Sequence, residues 1–472
     1  MTLPRAETFA QLPPPWPDDL LPAIRDALRQ GAQTLIVLDD DPTGTQTVYD
    51  LPVLTDWSEA TLRQELAAGT PVFYVLTNSR SLPPADAAAL NRTIGRNIAA
   101  AMAATGRGAA VVSRSDSTLR GHFPVETDAL AAGLGADFDG LLLIPYFLEG
   151  GRFTIGDVHY VAEGEQLVPA AATPFAADHS FGYRSSNLRD WVAEKTQGRV
   201  PVGDVASITL EDVRQGGPDV VAARLRELVN GQVCVVNAAC TRDMEVFVLG
   251  LLRAETAGKR FLYRTAASFV QTRAGLAAKP LLDAGALALP DQGGALVVVG
   301  SYVPKSSAQL ETLLDTDIGR VEIAVPALLD DAGRDAEIAR VRTALDASLA
   351  RGEDVVLYTS RALVTGDDSV ASLAIGQRVS ASLVAVVSGL TVRPRYLLAK
   401  GGITSSDLAT AALGIRRAWV MGQVLPGVPV WRAGEESKYP GLSYIVFPGN
   451  VGGVDALVDV RTRLAATSGT GA

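Results

Sequence analysis

Thr34-Leu35-Ile36-Val37-Leu38-Asp39-Asp40-Asp41-Pro42-Thr43-Gly44-Thr45-Gln46 joins a short apolar run to three successive carboxylates and a turn containing Pro and Gly. A run this short, uninterrupted and rich in branched side chains fits a strand buried on both faces, and it predicts one over Thr34–Leu38. The same pattern returns at Val72–Thr77, Ala110–Ser113, Gly140–Ile144, Val233–Asn237, Ala295–Gly300, Asp354–Tyr358, Arg395–Lys400 and Ser443–Phe447. Ala-rich stretches at helical spacing lie between these runs. The alternation predicts an α/β protein: two α/β domains with mainly parallel sheets and an active-site cleft between them. In such sheets ligands bind beyond the carboxyl ends of the strands, so the turns are where function is sought.

At 472 residues the chain is long enough for two large domains or three small ones. Leu276–Gly294 mixes Pro, Gly and Ala and closes on Pro290-Asp291-Gln292-Gly293-Gly294, a stop before a strong strand. The expected layout is a Pro-rich leader over 1–30, peripheral or frayed, an N-terminal domain over 31–276, a linker over 277–294 and a C-terminal domain over 295–472. A hydrophobic fraction of 47% with 20% charged residues and a mean hydropathy of +0.18 describes a folded globular chain. Forty-two Lys and Arg against 52 Asp and Glu leave a net charge of −10, no field for nucleic acid or an anionic membrane. No apolar run reaches the ~18 residues of a membrane span. Two cysteines, Cys234 and Cys240, make no disulfide framework or zinc pattern, which fits a reducing cytoplasm.

Three consecutive strands deliver polar loops. Like charges packed as tightly as Asp39-Asp40-Asp41 need cations or donors around them, which points to a metal, a polyol or a proton-transfer role; the plainer alternative is a solvated turn with an Asx cap at Pro42. The second strand ends in Thr77-Asn78-Ser79-Arg80-Ser81, the third in Ser113-Arg114-Ser115-Asp116-Ser117-Thr118-Leu119-Arg120-Gly121. Arg80, Arg114 and Arg120 offer forked donors that suit a carboxylate, while Asp and Ser side chains suit hydroxyls. Singly, each arginine would read as a surface residue or a structural ion pair; their joint placement is the signal. Gly150-Gly151-Arg152-Phe153-Thr154 follows another buried strand and could close over a ligand, whereas His159, His122 and His179 read as ordinary polar residues.

In the second half the strand at Ala295 ends in Gly300-Ser301-Tyr302-Val303-Pro304-Lys305-Ser306-Ser307, a small-residue turn before a helix that can present backbone N–H groups to an anion. It lacks the spacing of a P-loop. Gly401-Gly402-Ile403-Thr404-Ser405-Ser406-Asp407 and Pro448-Gly449-Asn450-Val451-Gly452-Gly453 repeat the device at the ends of two further strands. Three such loops in one domain suggest a nucleotide site, with Lys400 or Lys438 as a point charge for phosphate. An ordinary helix cap explains part of the second loop.

The pieces Leu38-Asp39-Asp40-Asp41-Pro42-Thr43-Gly44, Thr77-Asn78-Ser79-Arg80, Ser115-Asp116-Ser117-Thr118-Leu119-Arg120-Gly121 and Pro145-Tyr146-Phe147-Leu148-Glu149-Gly150-Gly151-Arg152-Phe153-Thr154 together resemble the four-carbon acid sugar kinase family, as do the two late glycine loops. That resemblance implies an N-terminal acid-sugar domain, a C-terminal ATP domain and transfer of the γ-phosphoryl group to a terminal hydroxyl, at O4, of a tetronate or 3-oxo-tetronate. It implies substrate contacts at Asp40, Arg80, Arg114, Ser115, Asp116 and Ser117, with the catalytic base among Asp40, Asp41 and Asp116. Nucleotide contacts are expected at Ser301, Gly401, Gly402, Ile403, Thr404, Ser405, Gly449, Asn450, Gly452 and Gly453. Many members carry Asp-Asp-Phe-Thr-Gly-Ala where this chain has Asp40-Asp41-Pro42-Thr43-Gly44-Thr45, and the substrate isomer is left open by that difference.

Kinase chemistry of this kind requires ATP, Mg²⁺ on its β- and γ-phosphates and a carboxylate that positions or deprotonates the attacking hydroxyl. No residue is assigned to a metal by the sequence. Two other readings use the same residues. Asp39-x-Asp41-x-Thr43 after a hydrophobic strand mimics a haloacid-dehalogenase-like phosphatase with Asp39 as nucleophile, and a two-domain sugar-acid-binding protein needs no catalysis at all. The expected partners are a small sugar acid and ATP, with homo-oligomerisation open.

Overall fold

The computed structural model describes residues 2–31, 33–361, 369–449 and 451–465. It divides into two compact units, Met1–Val48 with Asp56–Ala278, and Tyr49–Thr55 with Lys279–Ala472. Among the described residues no helix is long and apolar enough to cross a membrane.

In the first unit seven parallel strands run in the order Ala206–Ile208, Gln232–Val236, Gly140–Ile144, Phe261–Thr265, Ala109–Arg114, Thr34–Asp39, Val72–Leu76. Every residue of Thr34–Asp39 is buried, as its unbroken apolar character requires. Phe261–Thr265 is a central strand that the expected set of strands lacks. Its Arg264 and Thr265 shorten the apolar run to three residues, yet all five positions are buried because the arginine finds partners inside. The helix Pro84–Thr105 starts on a proline and stops at Gly106, the asymmetry that proline's fixed φ and glycine's left-handed freedom produce.

A separate antiparallel sheet in this unit orders Leu3–Pro4, Gln166–Pro169, Val158–Glu163 and Arg152–Ile155. The leader is therefore tied down rather than frayed: Leu3 pairs with Leu167, Phe9 meets Phe153 edge-on at 5.1 Å, and Pro13 accepts a hydrogen bond from Arg214. Partial burial of Phe9 and Trp16 helps to compensate the order imposed on it.

The second unit orders Leu51–Leu54, Arg417–Leu425, Val428–Ala433, Ser443–Phe447, Leu397–Lys400, Leu296–Val299, Val355–Thr359 and Gly319–Ile323. The last five are parallel, while the first four pair antiparallel. The sheets are thus mainly parallel with an antiparallel part, and Pro426-Gly427 is the turn signal that makes the hairpin possible. Two boundaries differ from the expected layout. Residues 49–55 leave the N-terminal stretch to pair with Arg417–Val420, and the 277–294 stretch contributes Leu282 and Leu287 to the second unit's core. A short strand joins whichever edge matches its register, a choice that local composition does not encode.

Candidate active site

In the first unit the acidic run sits at the end of the Thr34–Asp39 strand, where Asp39 is paired in register with Arg114. The Asp39 carboxylate lies 3.4 Å from the Arg114 guanidinium and is 1% exposed. Gly44 closes the turn on top of it, since a Cβ there would stand 1.9 Å from Asp39 Oδ2. Burial pushes the Asp39 carboxyl up to about 8, with Arg114 opposing and the neighbouring Asp40 and Asp41 reinforcing.

Asp40 accepts from Ser115 Oγ at 2.7 Å and from both Nε (3.1 Å) and Nη2 of Arg80. Arg80 Nη1 reaches Asp41 at 3.3 Å, so one guanidinium clamps two adjacent carboxylates. Asp41 also accepts from the Thr43 N–H at 2.9 Å, the Asx-type cap that the sequence allows. Burial works against its charge, but Arg80 and Thr43 hold the carboxyl below its usual range. Asp116 accepts from Arg120 Nε at 2.8 Å and from the Thr118 hydroxyl; burial again opposes, and Arg80 with Arg120 brings the carboxyl well below the ordinary carboxylate range.

Exposure separates the three candidate bases. The side chain of Asp41 is 23% exposed, that of Asp116 13% and that of Asp40 only 4%. Arg114 is buried with Nη1 3.4 Å from Asp39, and among the described residues its Nε has no partner. Ser115 is spent on Asp40. Ser117 lies beside them with its carbonyl accepting from His159 Nε2 at 2.7 Å. Because a carbonyl can only accept, Nε2 carries the proton and Nδ1 accepts from Thr154 Oγ1 at 3.0 Å. Burial lowers the His159 pKa to about 4, which keeps the ring neutral and structural.

Sequence reasoning missed two members of this cluster. Arg264, on the unforeseen Phe261–Thr265 strand, donates from Nη2 to the Arg120 carbonyl at 3.0 Å and lies 3.4 Å from Ser115 Oγ, packed over Phe123 and Trp191. Its signal is an apolar run ended by Arg and a hydroxyl residue, the same ending as Arg114-Ser115. Glu126 is buried nearby, and burial together with the Asp40 charge pushes its carboxyl up to about 7.

In the second unit the three glycine loops occupy adjacent parallel strand ends. Leu397–Lys400 runs into Gly401, whose φ of +109° only glycine adopts freely, and then into the short helix Gly402–Asp407. Gly300 faces that helix, because a Cβ there would lie 2.8 Å from Thr404 Oγ1. Ser405 is fully buried and donates to the Ala399 carbonyl at 2.8 Å, so it braces the turn, whereas Ile403 stands exposed. Ser306 donates to Gly449 at 3.2 Å, and Gln309 Nε2 donates to Val451 at 2.9 Å and Gly453 at 2.7 Å, linking the first loop's helix to the last loop. Around Gly449 and Gly453 a Cβ would meet open space. Gly452 packs against Ala456; Asn450 lies outside the described residues.

The two lysines part company. Lys400 is fully buried, donates to Pro448 O at 2.6 Å and Gly449 O at 3.2 Å, and stands 4.2 Å from the Phe447 ring centroid. Burial, aided by Lys305, lowers its pKa to about 7. Lys438 instead donates to the Ser388 carbonyl at the end of the Ser369–Gly389 helix, away from the glycine loops. Arg361, not foreseen, donates to the Ser301 carbonyl at 3.0 Å and stacks on Tyr302, placing a cation at the first loop.

Comparison with known proteins agrees with this division of labour. Residues 35–273 match the sugar-binding N-terminal domain model and residues 296–457 the nucleotide-binding C-terminal domain model. D-threonate kinase of Cupriavidus necator is 27% identical over 85% of this chain and 84% of its own length. 3-Oxo-isoapionate kinase of Paraburkholderia graminis is 29% identical over 59% of this chain, a match that spans 64% of that relative's length. D-erythronate kinase of Heliobacterium modesticaldum is 28% identical over 65% of this chain and 66% of its own. Among solved structures, a Salmonella typhimurium protein described as a tRNA synthase superposes with a TM-score of 0.67 at 17% identity, covering 91% of this chain and 99% of that one. A Haemophilus influenzae protein gives 0.60 at 18% identity over 90% and 99%. At such identities the structural likeness speaks for the fold alone. With sugar-binding and nucleotide-binding models that together span most of its length, this chain belongs to the four-carbon acid sugar kinase family.

Proposed function

We propose that the protein transfers the γ-phosphoryl group of ATP to the terminal hydroxyl, at O4, of a four-carbon sugar acid of the threonate, erythronate or 3-oxo-tetronate class. The observation that carries this reading is the pairing, in one chain, of a carboxylate–guanidinium cluster at the strand ends of the first unit with three glycine loops at the strand ends of the second. Phosphoryl transfer asks the protein for positioning and electrostatics more than for covalent chemistry. Asp41, the most exposed of the three candidate carboxylates, orients the attacking hydroxyl and takes its proton. Asp40 and Arg80 hold Asp41 in place, while Asp116 and Ser117 receive the other hydroxyls. Gly401, Gly402, Thr404, Gly449, Gly452 and Gly453 present backbone N–H groups to the phosphates, and Arg361 adds charge beside Ser301.

Among the described residues no three His, Cys, Asp or Glu converge as a metal cage. Mg²⁺ would come to the site with the nucleotide and would supply charge neutralisation for the transferred phosphoryl group.

The phosphatase reading requires Asp39 as an exposed, ionised nucleophile. Asp39 is buried under Gly44, paired with Arg114 and pushed toward its neutral form, so it can neither reach a phosphoryl group nor attack one. The deciding experiment follows label from γ-labelled ATP. Transfer to D-threonate or D-erythronate supports the kinase; label on an aspartate, or turnover of a sugar phosphate without nucleotide, overturns it.

A further inference from the structure

Five arginines surround the carboxylates of the first unit, and four have evident employment. Arg80 serves Asp40 and Asp41, Arg114 serves Asp39, Arg264 serves the Arg120 carbonyl, and Arg120 serves Asp116 with Asp178 3.8 Å away. Arg152 differs. It opens the Arg152–Ile155 strand and, like Arg264, forms no ion pair among the described residues; but where Arg264 reaches Ser115 and the Arg120 carbonyl, the Arg152 guanidinium donates only to the carbonyl of Gly150, two residues back. Among the described residues its Nε is buried without a partner, as are Arg114 Nε and Arg264 Nη1, but Arg152 alone of the three stands beside a second cation over one ring. The guanidinium carbon lies 5.7 Å from the ring centroid of Phe175, and that of Arg120 lies 5.1 Å from the same ring.

Two cations thus share one aromatic ring, and the carboxylates within reach are committed to Arg120. Burial lowers the proton affinity of Arg152, Asp116 offsets part of this, and Arg120 adds to the lowering. A desolvated guanidinium beside a like charge, with an N–H left unpaired, costs free energy that a counter-anion would return. A planar anion fits best, because a guanidinium fork matches a carboxylate with two parallel hydrogen bonds. Asp116, one of the hydroxyl-facing groups, is bonded to Arg120, so an anion at this pair would be the end of a ligand whose hydroxyls lie along Asp116.

We propose that Arg152, with Arg120 beside it, receives the carboxylate of the sugar acid and so decides that the enzyme takes acids rather than neutral polyols. This rests on the kinase reading of the same site. Both guanidiniums lie over the Phe175 ring, and Arg80 and Arg114 serve the protein's own carboxylates instead of the substrate's.

The test compares the full-length wild type with Arg152→Ala and Arg152→Lys, using D-threonate and D-erythronate against threitol and erythritol, the four-carbon polyols without the acid group. Arg152→Ala is expected to raise KM for the acids about 30-fold or more, the loss of one charged pair in a desolvated site, with KM for ATP within about twofold. The preference for acid over polyol should collapse, and Arg152→Lys should restore part of it, since a point charge replaces a fork. Calorimetric binding of the acid without nucleotide should weaken in parallel. Unchanged acid KM overturns the proposal, as does a rise confined to ATP, which would assign Arg152 to the nucleotide's phosphates. Thermal melting separates packing from binding: if both variants lose the fold and lysine is no better than alanine, Arg152 is structural. A wild type that neither binds nor phosphorylates the acids overturns the kinase reading itself.

Discussion

At the scale of single residues, function depends on which carboxylates are left free. Asp39, Asp40 and Asp41 are chemically identical in sequence, yet one is sealed under Gly44, one is saturated by Ser115 and Arg80, and one retains solvent access. Asp41→Asn keeps the shape and, on the proposed mechanism, removes the proton acceptor. It is expected to lower kcat by ~10²–10⁴-fold, the usual range for a positioned acid or base, while ADP affinity measured by calorimetry stays within about twofold. If Asp116→Asn shows the larger loss in kcat, the base is Asp116 and Asp41 is a clamp. The identity of this acidic cluster was legible in the sequence, because three carboxylates at a strand end stand out; its internal hierarchy was not, since exposure is set by Gly44, Arg80 and Ser115 arriving from elsewhere in the fold.

At the scale of elements, the parallel strand ends of the second unit act as a rack for backbone loops. The Leu397–Lys400 strand supplies both the Gly401 turn and the buried Lys400, which ties that strand to the Pro448–Gly449 loop through two carbonyls. Lys400→Met preserves bulk and deletes the tie. The expected result is a rise in KM for ATP of about tenfold or more, comparable to losing one hydrogen bond to a charged group, with the sugar-acid KM little changed. The same lysine makes stability depend on pH. Its folded pKa of about 7 lies below the ~10.4 of an unfolded chain, so the unfolded state binds more protons between those values. Stability contributed by this group is therefore fully present above the unfolded value and is lost as pH falls through about 7. Urea midpoints at pH 7 and pH 9 should rise with pH in the wild type, and the rise should be smaller in Lys400→Met; equal slopes would show that Lys400 does not titrate in this window.

At the scale of the whole molecule, the chain builds its two units discontinuously. The Leu51–Leu54 strand belongs with Arg417–Val420 although more than 360 residues separate them. A fragment starting at Lys279 would therefore expose the Arg417–Leu425 edge, an unpaired row of N–H and C=O groups prone to self-association. Such a fragment is expected to melt below the full chain and to elute as soluble aggregate in size-exclusion chromatography; fusing residues 49–55 through a flexible linker should restore a monodisperse species. A monodisperse fragment of unchanged melting temperature without that strand would show that the edge pairing is dispensable.

By itself the sequence determined the class of fold and the positions of its loops: buried parallel strands need unbroken apolar runs, and a polar or glycine-rich stretch must follow wherever the chain turns at a strand end. The resemblance of those loops to sugar acid kinases followed from their order along the chain. Only the tertiary structure decided that Phe261–Thr265 is a strand despite its arginine, that Leu51–Leu54 crosses to the second unit, that Lys438 serves a helix end, and that among the described residues Arg152 has no counter-ion while Arg80 and Arg114 have theirs. The reason is physical: apolar periodicity is a local property, whereas the partner, the exposure and the charge state of a side chain are sums over neighbours that the fold brings from hundreds of residues away.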